Sequence, residues 1–391
     1  MTKNASRLIL LLLFCSSWLV VIQFPLVNAE TKTIVVPDDY DSIQDAIIAA
    51  NVGDTVFVKN GVYPVDENAS IIVYKTVSII GEDPKNTMIQ GNYSNIRGGT
   101  AIRVAAPDVT ISGFTITDCR VAITIVNYSG EPHPSGCKII NNNIVNNSEG
   151  IRPRANNVLI SGNNITNCGT GISGYDTKSI VIIGNNITEN TYGINIGQSN
   201  YITVTENNIS SNEGGLNMIY YGPYSVYGNN FTKNDWAIRF AEGCRNAEVY
   251  GNNISENSIA VWLLTFPVGG EMAIRGEGNK FFGNLLVGNT QQISTHEIKY
   301  GNYNPTNKGT DIVAWDNSTI GNYWSDYDGI DENGDNIGDT PYILDENNQD
   351  NHPLTKQIDI KTIPENNLTL FEFLGLGTIL LVIKMVFKKA K

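Results

Sequence analysis

Gly184-Asn185-Asn186-Ile187-Thr188 is one copy of a phrase that returns along the chain. It reappears as Gly162-Asn163-Asn164-Ile165-Thr166, Glu206-Asn207-Asn208-Ile209-Ser210, Gly228-Asn229-Asn230-Phe231-Thr232 and Gly251-Asn252-Asn253-Ile254-Ser255. With the apolar residue as register mark, the marks stand at 144, 165, 187, 209, 231 and 254, so the steps are 21, 22, 22, 22 and 23 residues. Self-similarity at a fixed short period is the signature of a solenoid. The 391 residues, enough for two or three ordinary domains, therefore read as one long stack of coils.

Aligning the coils on the mark exposes their columns. At −7 and −5 stand Val109/Ile111, Val158/Ile160, Ile180/Ile182, Ile202/Val204, Tyr224/Val226 and Ala247/Val249, a period-two pair that points inward. Ile151, Ile172, Ile194, Leu216, Ile238 and Val261 form an apolar column at +7, preceded at +6 by Gly150, Gly171, Gly193, Gly215, Ala237 and Ala260, where a tight corner excludes side chains. Each coil thus has three short strands and three corners, and stacking puts every column on its own copies in a parallel ladder. The expected fold is an all-β, right-handed, single-stranded parallel β-helix of ~22-residue coils. At −2 the column is Asn142, Asn163, Asn185, Asn207, Asn229 and Asn252, which suits a ladder of side-chain amides donating from coil to coil. At −1, Asn164, Asn186, Asn208, Asn230 and Asn253 each start an Asn-X-Ser/Thr sequon, face outward and are expected glycosylation acceptors. The spacing breaks twice, from Ile116 to Ile144 and from Ile254 to Phe281, with Tyr128–Cys137 and Pro267–Glu271 looped out.

The ends differ from this pattern. Lys3 and Arg7 precede the apolar run Leu8–Phe14, which continues through Trp18–Ile22 to small residues at Val27 and Ala29, as in a secretory signal. The alternative is a first transmembrane helix. Leu368–Phe387 is apolar over 20 residues, followed by Lys388, Lys389 and Lys391; about 20 apolar residues cross the ~30 Å hydrocarbon core, and the basic tail is then cytoplasmic. The protein is expected at the cell membrane, single-pass, with its N-terminal domain outside. The sequence divides into a signal peptide at 1–29, an N-terminal cap and first coil at 30–76, the β-helix at 77–320, an acidic motif at 321–355, a linker at 356–367, a transmembrane helix at 368–387 and a tail at 388–391. Within the first coil, Asp41 or Ser42 starts a helix with apolar face Ile43, Ala46, Ile47 and Ala50. Such a helix is expected to cover the open end of the stack.

Charged residues make up 17% of the chain, against roughly 25% in an average domain. The net charge of −13 argues against nucleic acid as a partner, since phosphate neutralisation needs clustered Lys and Arg. Cys119 and Cys168 share one register two coils apart, roughly 9.6 Å at ~4.8 Å per strand, too far for a disulfide. With Cys137 and Cys244 they read as small buried residues.

Function-bearing residues gather in the outward column at +8, which runs Arg152, Ser173, Asn195, Asn217, Arg239 and Trp262, with Arg154, Tyr175, Tyr192 and Trp236 nearby. Aromatic faces pack on the C–H surfaces of sugars, and planar polar side chains bond their hydroxyls. Arg152, Tyr175, Asn195, Asn217, Trp236, Arg239 and Trp262 are therefore the candidate carbohydrate contacts; the competing reading is an ordinary polar solenoid face. Glu213 and Asp235 share register +4 on successive coils, about 5 Å apart, the spacing of a retaining glycosidase pair, and are the candidate catalytic acids; on a corner they also read as solvated surface residues. Asp331, Asn333, Asp335 and Asp339 stand at positions 1, 3, 5 and 9 of an acidic loop, the hard oxygen ligands calcium takes. Position 6 is Asn336 and position 12 is Tyr342, so the loop departs from an EF-hand. The histidines His133, His296 and His352 form no close pair, which offers little to copper.

The opening Pro37-Asp-Asp-Tyr-Asp-Ser-Ile-Gln-Asp-Ala-Ile47 with Gly53-Asp-Thr-Val56, the Gly-Asn-Asn-Ile coils, and the closing Gly321-Asn-Tyr-Trp-Ser-Asp-Tyr327 with Gly338-Asp-Thr-Pro-Tyr342 and Asn351-His-Pro-Leu354 resemble the NosD-like parallel β-helix proteins, especially cell-surface members from archaea. The resemblance covers nearly all of the mature chain. It implies a right-handed, pectate-lyase-like β-helix, a fold also used by carbohydrate-binding and sugar-hydrolysing modules. It also implies copper, because the family's namesake is a periplasmic accessory protein for copper-site maturation in nitrous oxide reductase. The reading that results is a membrane-anchored extracellular β-helix that binds carbohydrate or serves cell-envelope architecture. The alternatives are a polysaccharide lyase or glycoside hydrolase, and a copper-binding accessory protein.

Overall fold

The computed structural model describes residues 31–66, 70–92, 99–126, 134–264, 276–295 and 313–357. The segments expected as signal peptide, transmembrane helix and tail, and the Pro267–Glu271 insertion, lie outside the described residues, as does most of Tyr128–Cys137. Among the described residues no helix is long and apolar enough to cross a membrane.

The chain is an all-β parallel solenoid of the right-handed type, each coil giving one strand to each of three sheets. The first sheet has 12 strands, from Thr33–Val36 to Val313–Ala314; the second has 10, from Ile71–Val73 to Gln291–Ser294; the third has 11, from Gly61–Pro64 to Tyr323–Trp324. In the third sheet Ile144, Ile165, Ile187, Ile209, Phe231 and Ile254 pair in succession, and all are fully buried. Each fully buried side chain of this size contributes about 1.5–3 kcal/mol, and stacking, not any single coil, supplies the burial. The expected mark at Phe281 is wrong. Ile254 pairs with Leu286, while Phe281 pairs with Val249 in the first sheet. Leu286 then pairs with Trp324, so Tyr323–Trp324 is the last strand of the third sheet.

The corners explain the repeated phrase. The coil that starts at Ser179 has four positions with left-handed backbone, Ser179 (φ 61°), Gly184 (φ 65°), Glu189 (φ 58°) and Gln198 (φ 49°). An asparagine follows two of these four. Asn185 follows Gly184, and both its N–H and its Nδ2 donate to Asn207 Oδ1 at 2.9 Å, while Nδ2 also reaches Ile160 O and Ile183 O at 3.0 and 3.2 Å. The same arrangement runs from Asn142 through Asn163, Asn185, Asn207, Asn229, Asn252 and Asn284 to Asn322. A second inner ladder, at +3, runs through Asn190, Asn212, Asn234, Asn257 and Asn289. Cys168 occupies that column one coil before Asn190, Asn147 two coils before and Cys119 three: the Cys119 N–H donates to Asn147 Oδ1 at 3.0 Å and the Cys168 N–H to Asn190 Oδ1 at 2.9 Å. All four described cysteines are buried, and none of them forms a disulfide. Buried backbone donors at tight corners must be satisfied, and the ladders do this.

The +6 glycines lie inside second-sheet strands, not at a corner. A Cβ on Gly150, Gly171, Gly193 or Gly215 would come within 2.3–2.8 Å of the carbonyl oxygen of the next coil. At the N-terminal side the expected helix forms at Ile43–Ala49, and Ser42 is its N-cap: Asp45 N–H donates to Ser42 Oγ at 3.0 Å. Its buried Ile43, Ala46 and Ile47 pack against Thr33–Val36, Thr55–Val58 and Ile71–Val73. At the other end Phe281, Trp315, Trp324 and Tyr342 follow one another with ring centroids 4.7–6.0 Å apart. The last inner asparagine meets a carboxylate: Asp350, fully buried, accepts Asn322 N–H at 2.7 Å, Trp324 Nε1–H at 2.9 Å and His352 N–H at 3.0 Å.

Candidate ligand-binding face

The second sheet fixes the outward +8 column by register. Thr124 pairs with Arg103 and Arg152, Ser173 with Asn195, Asn195 with Asn217, Asn217 with Arg239 and Arg239 with Trp262. Three consecutive members of the column are hydrogen-bonded to one another. Asn217 Nδ2 donates to Asn195 Oδ1 at 2.9 Å, and Arg239 Nε donates to Asn217 Oδ1 at 2.8 Å. The Arg239 guanidinium lies 4.6 Å from the Trp236 ring and 5.4 Å from that of Trp262, and the two indoles sit edge to face at 6.1 Å.

A glycine makes room for the Trp236 ring. A Cβ at Gly214 would stand 2.0 Å from Trp236 Cζ2, so the indole lies back over the preceding coil towards Tyr192, 6.0 Å away. A Cβ at Gly197 would stand 3.4 Å from the Tyr175 ring. Tyr175 is 47% exposed, whereas Trp236 is 7% and Asn217 1% exposed. The result is a polar floor, Asn195–Asn217–Arg239, with aromatic rings on either side of it. Indoles and phenols offer flat C–H-binding faces, and the amides and guanidinium are planar donors and acceptors for hydroxyls or carboxylates.

The other expected contacts stand apart from this group. Arg152, two pairings before Asn195, is tied to Glu149 through both Nε (2.8 Å) and Nη2. Sequence reasoning missed that pair, because residues three apart on a regular strand face opposite ways. Here the close-packed Gly150 intervenes, and the ladder pairs Glu149 and Ile151 but skips it. Glu213 and Asp235 do occupy matching positions on successive coils, one residue before Gly214 and Trp236. Both are exposed, and among the described residues neither carboxylate has a hydrogen-bond partner. They therefore lack the contrast of environments that separates a catalytic acid from its ionised companion.

The sequon asparagines face outward, as expected, but they are not idle. Nδ2 of Asn164, Asn186, Asn208, Asn230 and Asn253 each donates to the side-chain oxygen of the asparagine one coil earlier, at 2.7–2.9 Å. This third ladder runs along the outer face of the third sheet. The regular Asn column at −1 was its signal.

The acidic loop does not carry the calcium expectation. Asp331 accepts backbone N–H groups of Gly334, Asp335 and Asn336, Asn333 accepts that of Asp335, Asp335 that of Ile337, and Asp339 that of Glu332. The oxygens are engaged by the loop's own backbone, and among the described residues no three His, Cys, Asp or Glu side chains gather as a metal site. Copper fits no better. His352 is the one described histidine, its Nδ1 3.4 Å from Asp316 Oδ2. The thiols stand on separate coils, with Cys119 Sγ on Thr117 O and Cys137 Sγ on Ala106 O, and burial pushes Cys119 up to about 12 and Cys137 to about 11, which disfavours the thiolate that binds a soft metal.

Residues 47–246 and 136–329 match the family model described as "Periplasmic copper-binding protein (NosD)". No curated protein matches the chain. Among solved structures it is similar to an alginate lyase from a Paenibacillus species, with a TM-score of 0.51 at 14% identity over 68% of this chain and 99% of that one. It is also similar to the A-module of a mannuronan C-5 epimerase from Azotobacter vinelandii, with a TM-score of 0.45 at 16% identity over 72% and 89%. At 14% identity the likeness to the lyase is one of fold.

Proposed function

The chain belongs to the NosD family, and from that premise we propose that it is an extracellular carbohydrate-binding β-helix whose ligand lies along the outer face of the second sheet. The supporting observation is the Asn195–Asn217–Arg239 floor set among Tyr175, Tyr192, Trp236 and Trp262. Arg152, two coils before Asn195 in the column, extends the same track. The family description names a periplasmic protein, and the reading adds export by residues 1–29, anchoring by residues 368–387 and closure of the first coil by the helix Ile43–Ala49. Copper is not part of it, since among the described residues the ligand types do not converge.

Affinity electrophoresis of the chain in gels cast with plant, bacterial and archaeal envelope polysaccharides tests the reading. Retardation by at least one polymer, lost in Trp236→Ala and Trp262→Ala, is the expected result; unretarded migration in every gel refutes it. A rival reading as lyase or hydrolase rests on Glu213 and Asp235 preceding Gly214 and Trp236 at the edge of the same face. Product release abolished by Asp235→Asn would establish it, and saturable binding without products removes it.

A further inference from the structure

The second sheet also segregates one kind of charge. The protein is acidic, with 26 Lys and Arg against 39 Asp and Glu, yet every described arginine belongs to this sheet or touches its strand ends. Arg103 lies in Thr100–Val104, Arg152 and Arg154 in Glu149–Arg154, and Arg239 in Trp236–Cys244; Arg120 immediately precedes Val121–Val126 and Arg245 immediately follows Trp236–Cys244. No described lysine lies in a strand of the second sheet, whereas Lys138 and Lys280 stand in the first. Arg103, Arg152 and Arg239 share the single outward column whose other members are Ile72, hydroxyls, amides and Trp262. A solvated face has no reason to prefer guanidinium over ammonium. Recognition of a planar, two-oxygen anion does, because the rigid fork of arginine matches a carboxylate bidentately and stacks on aromatic rings, while lysine offers a hydrated point charge.

We infer that the ligand of this face is an acidic polysaccharide, a polymer carrying ring carboxylates, read by the arginine column together with the indoles. The inference rests on the carbohydrate reading above and narrows it to one chemical class. Arg239 is the central contact. With both indoles within 5.4 Å of its Cζ and its Nε on Asn217, the guanidinium stands beside the rings on which a sugar would stack. Arg152, held by Glu149, is a lesser one.

The test uses the full chain in detergent and three matched polymers: a polyuronate, the same polymer after reduction of its carboxyl groups to alcohols, and a neutral polysaccharide of similar length. Calorimetric titration should show the polyuronate bound at least about tenfold more tightly than its reduced form. Affinity should fall as salt rises, since exposed charge pairs are screened. Arg239→Gln should lose about tenfold for the polyuronate and less for the reduced polymer, so that the ratio between the two affinities collapses. Arg239→Lys should fail to restore binding, a readout that a merely structural role of the charge would not give. Circular dichroism of both variants checks that the coil remains folded. Equal binding of the polyuronate and its reduced form overturns the acidic class while leaving the carbohydrate reading intact. Binding of none of the three overturns this inference, and the carbohydrate reading falls only if the wider gel screen is also blank. Equal binding of a sulfated polymer overturns the preference for carboxylate.

Discussion

Asn207 and Asn208 are adjacent and identical, yet replacing each by alanine should have very different consequences. Asn207 Oδ1 accepts the Asn185 N–H and Nδ2, both at 2.9 Å, and its own Nδ2 donates to Ile182 O, Thr205 O and Asn229 Oδ1, each at 2.9 Å. Alanine removes all of these bonds. Asn185 N–H then becomes a buried donor without an acceptor, which costs roughly 1–3 kcal/mol. The other losses are partial, because Asn185 Nδ2 keeps two carbonyls and Asn229 Oδ1 keeps the Asn207 N–H; they add about 1 kcal/mol. Asn207→Ala should therefore cost about 2–4 kcal/mol. Asn208 belongs to the outer ladder, where its bonds to Asn186 and from Asn230 lie at the surface. Asn208→Ala should cost about 0.5 kcal/mol or less, as for an ordinary surface site. Urea unfolding followed by circular dichroism reads both values. Because coils of a solenoid interact chiefly with their neighbours, hydrogen exchange should localise the loss to the amides around Asn185. An Asn207→Ala variant as stable as Asn208→Ala would refute the view that the inner ladders hold the corners.

Gly214→Ala drives a methyl group into Trp236 Cζ2, 2.0 Å away; the indole must move, so glycan affinity should fall about tenfold or more while the melting temperature changes little, and unchanged binding would detach Trp236 from the site. Asp350→Asn keeps one acceptor for Asn322 and Trp324, so it should be milder than Asp350→Ala, which orphans buried donors at roughly 1–3 kcal/mol each. Burial raises the Asp350 carboxyl above its ordinary value near 3.8, so the folded state binds the proton more tightly and this group's contribution fades as pH rises through that raised value; unfolding at stepped pH should show that slope flattened in Asp350→Asn. Removing calcium with a chelator should leave the melting temperature unchanged, because the Asp331–Asp339 oxygens are met by backbone N–H groups; a drop would put a cation in the loop. Sequons of the −1 column stand about 4.8 Å apart on neighbouring strands, too close for a glycan on each, so peptide mapping should find no two adjacent coils occupied together.

The fold was legible because the period is local and sustained: one apolar mark every 21–23 residues set the register that the third sheet adopts from Ile144 to Ile254. It failed at Phe281, for a reason inherent in the repeat. The inward columns of the first and third sheets are five residues apart, both are apolar, and an insertion of unknown length precedes them. Nothing in the residue type tells Phe281 from Leu286 once the period is interrupted. The +8 face was readable as a column, since parallel stacking fixes which residues adjoin. What side chains do within it was not, and the Glu149–Arg152 pair and the indole laid over Gly214 depend on backbone shape that composition does not encode. The second inner ladder was hidden by Cys119 and Cys168, which interrupt its column with residues that accept the corner but cannot relay the amide.

The ladders carry a direction that accounts for the residue at their end. In both inner ladders Nδ2 donates towards the following coil, as from Asn185 to Asn207 and from Asn190 to Asn212. In the outer ladder the sense is reversed, as from Asn186 back to Asn164. Aligned amides sum as peptide dipoles do in a helix, leaving partial positive charge where the unsatisfied N–H groups emerge. For the −2 ladder that place is the C-terminal end, where Asn322 presents its N–H and Nδ2 with no further coil to receive them. A ninth asparagine would satisfy them with one oxygen; an aspartate satisfies them with charge as well, in the way an acidic N-cap serves a helix. Asp350 does so at 2.7 and 3.3 Å, and its second oxygen takes His352 N–H from the segment that folds back over the end. Burial works against the carboxylate and the converging N–H groups work for it. A charge that is disfavoured by burial remains in the fold here because the ladder points its donors at it.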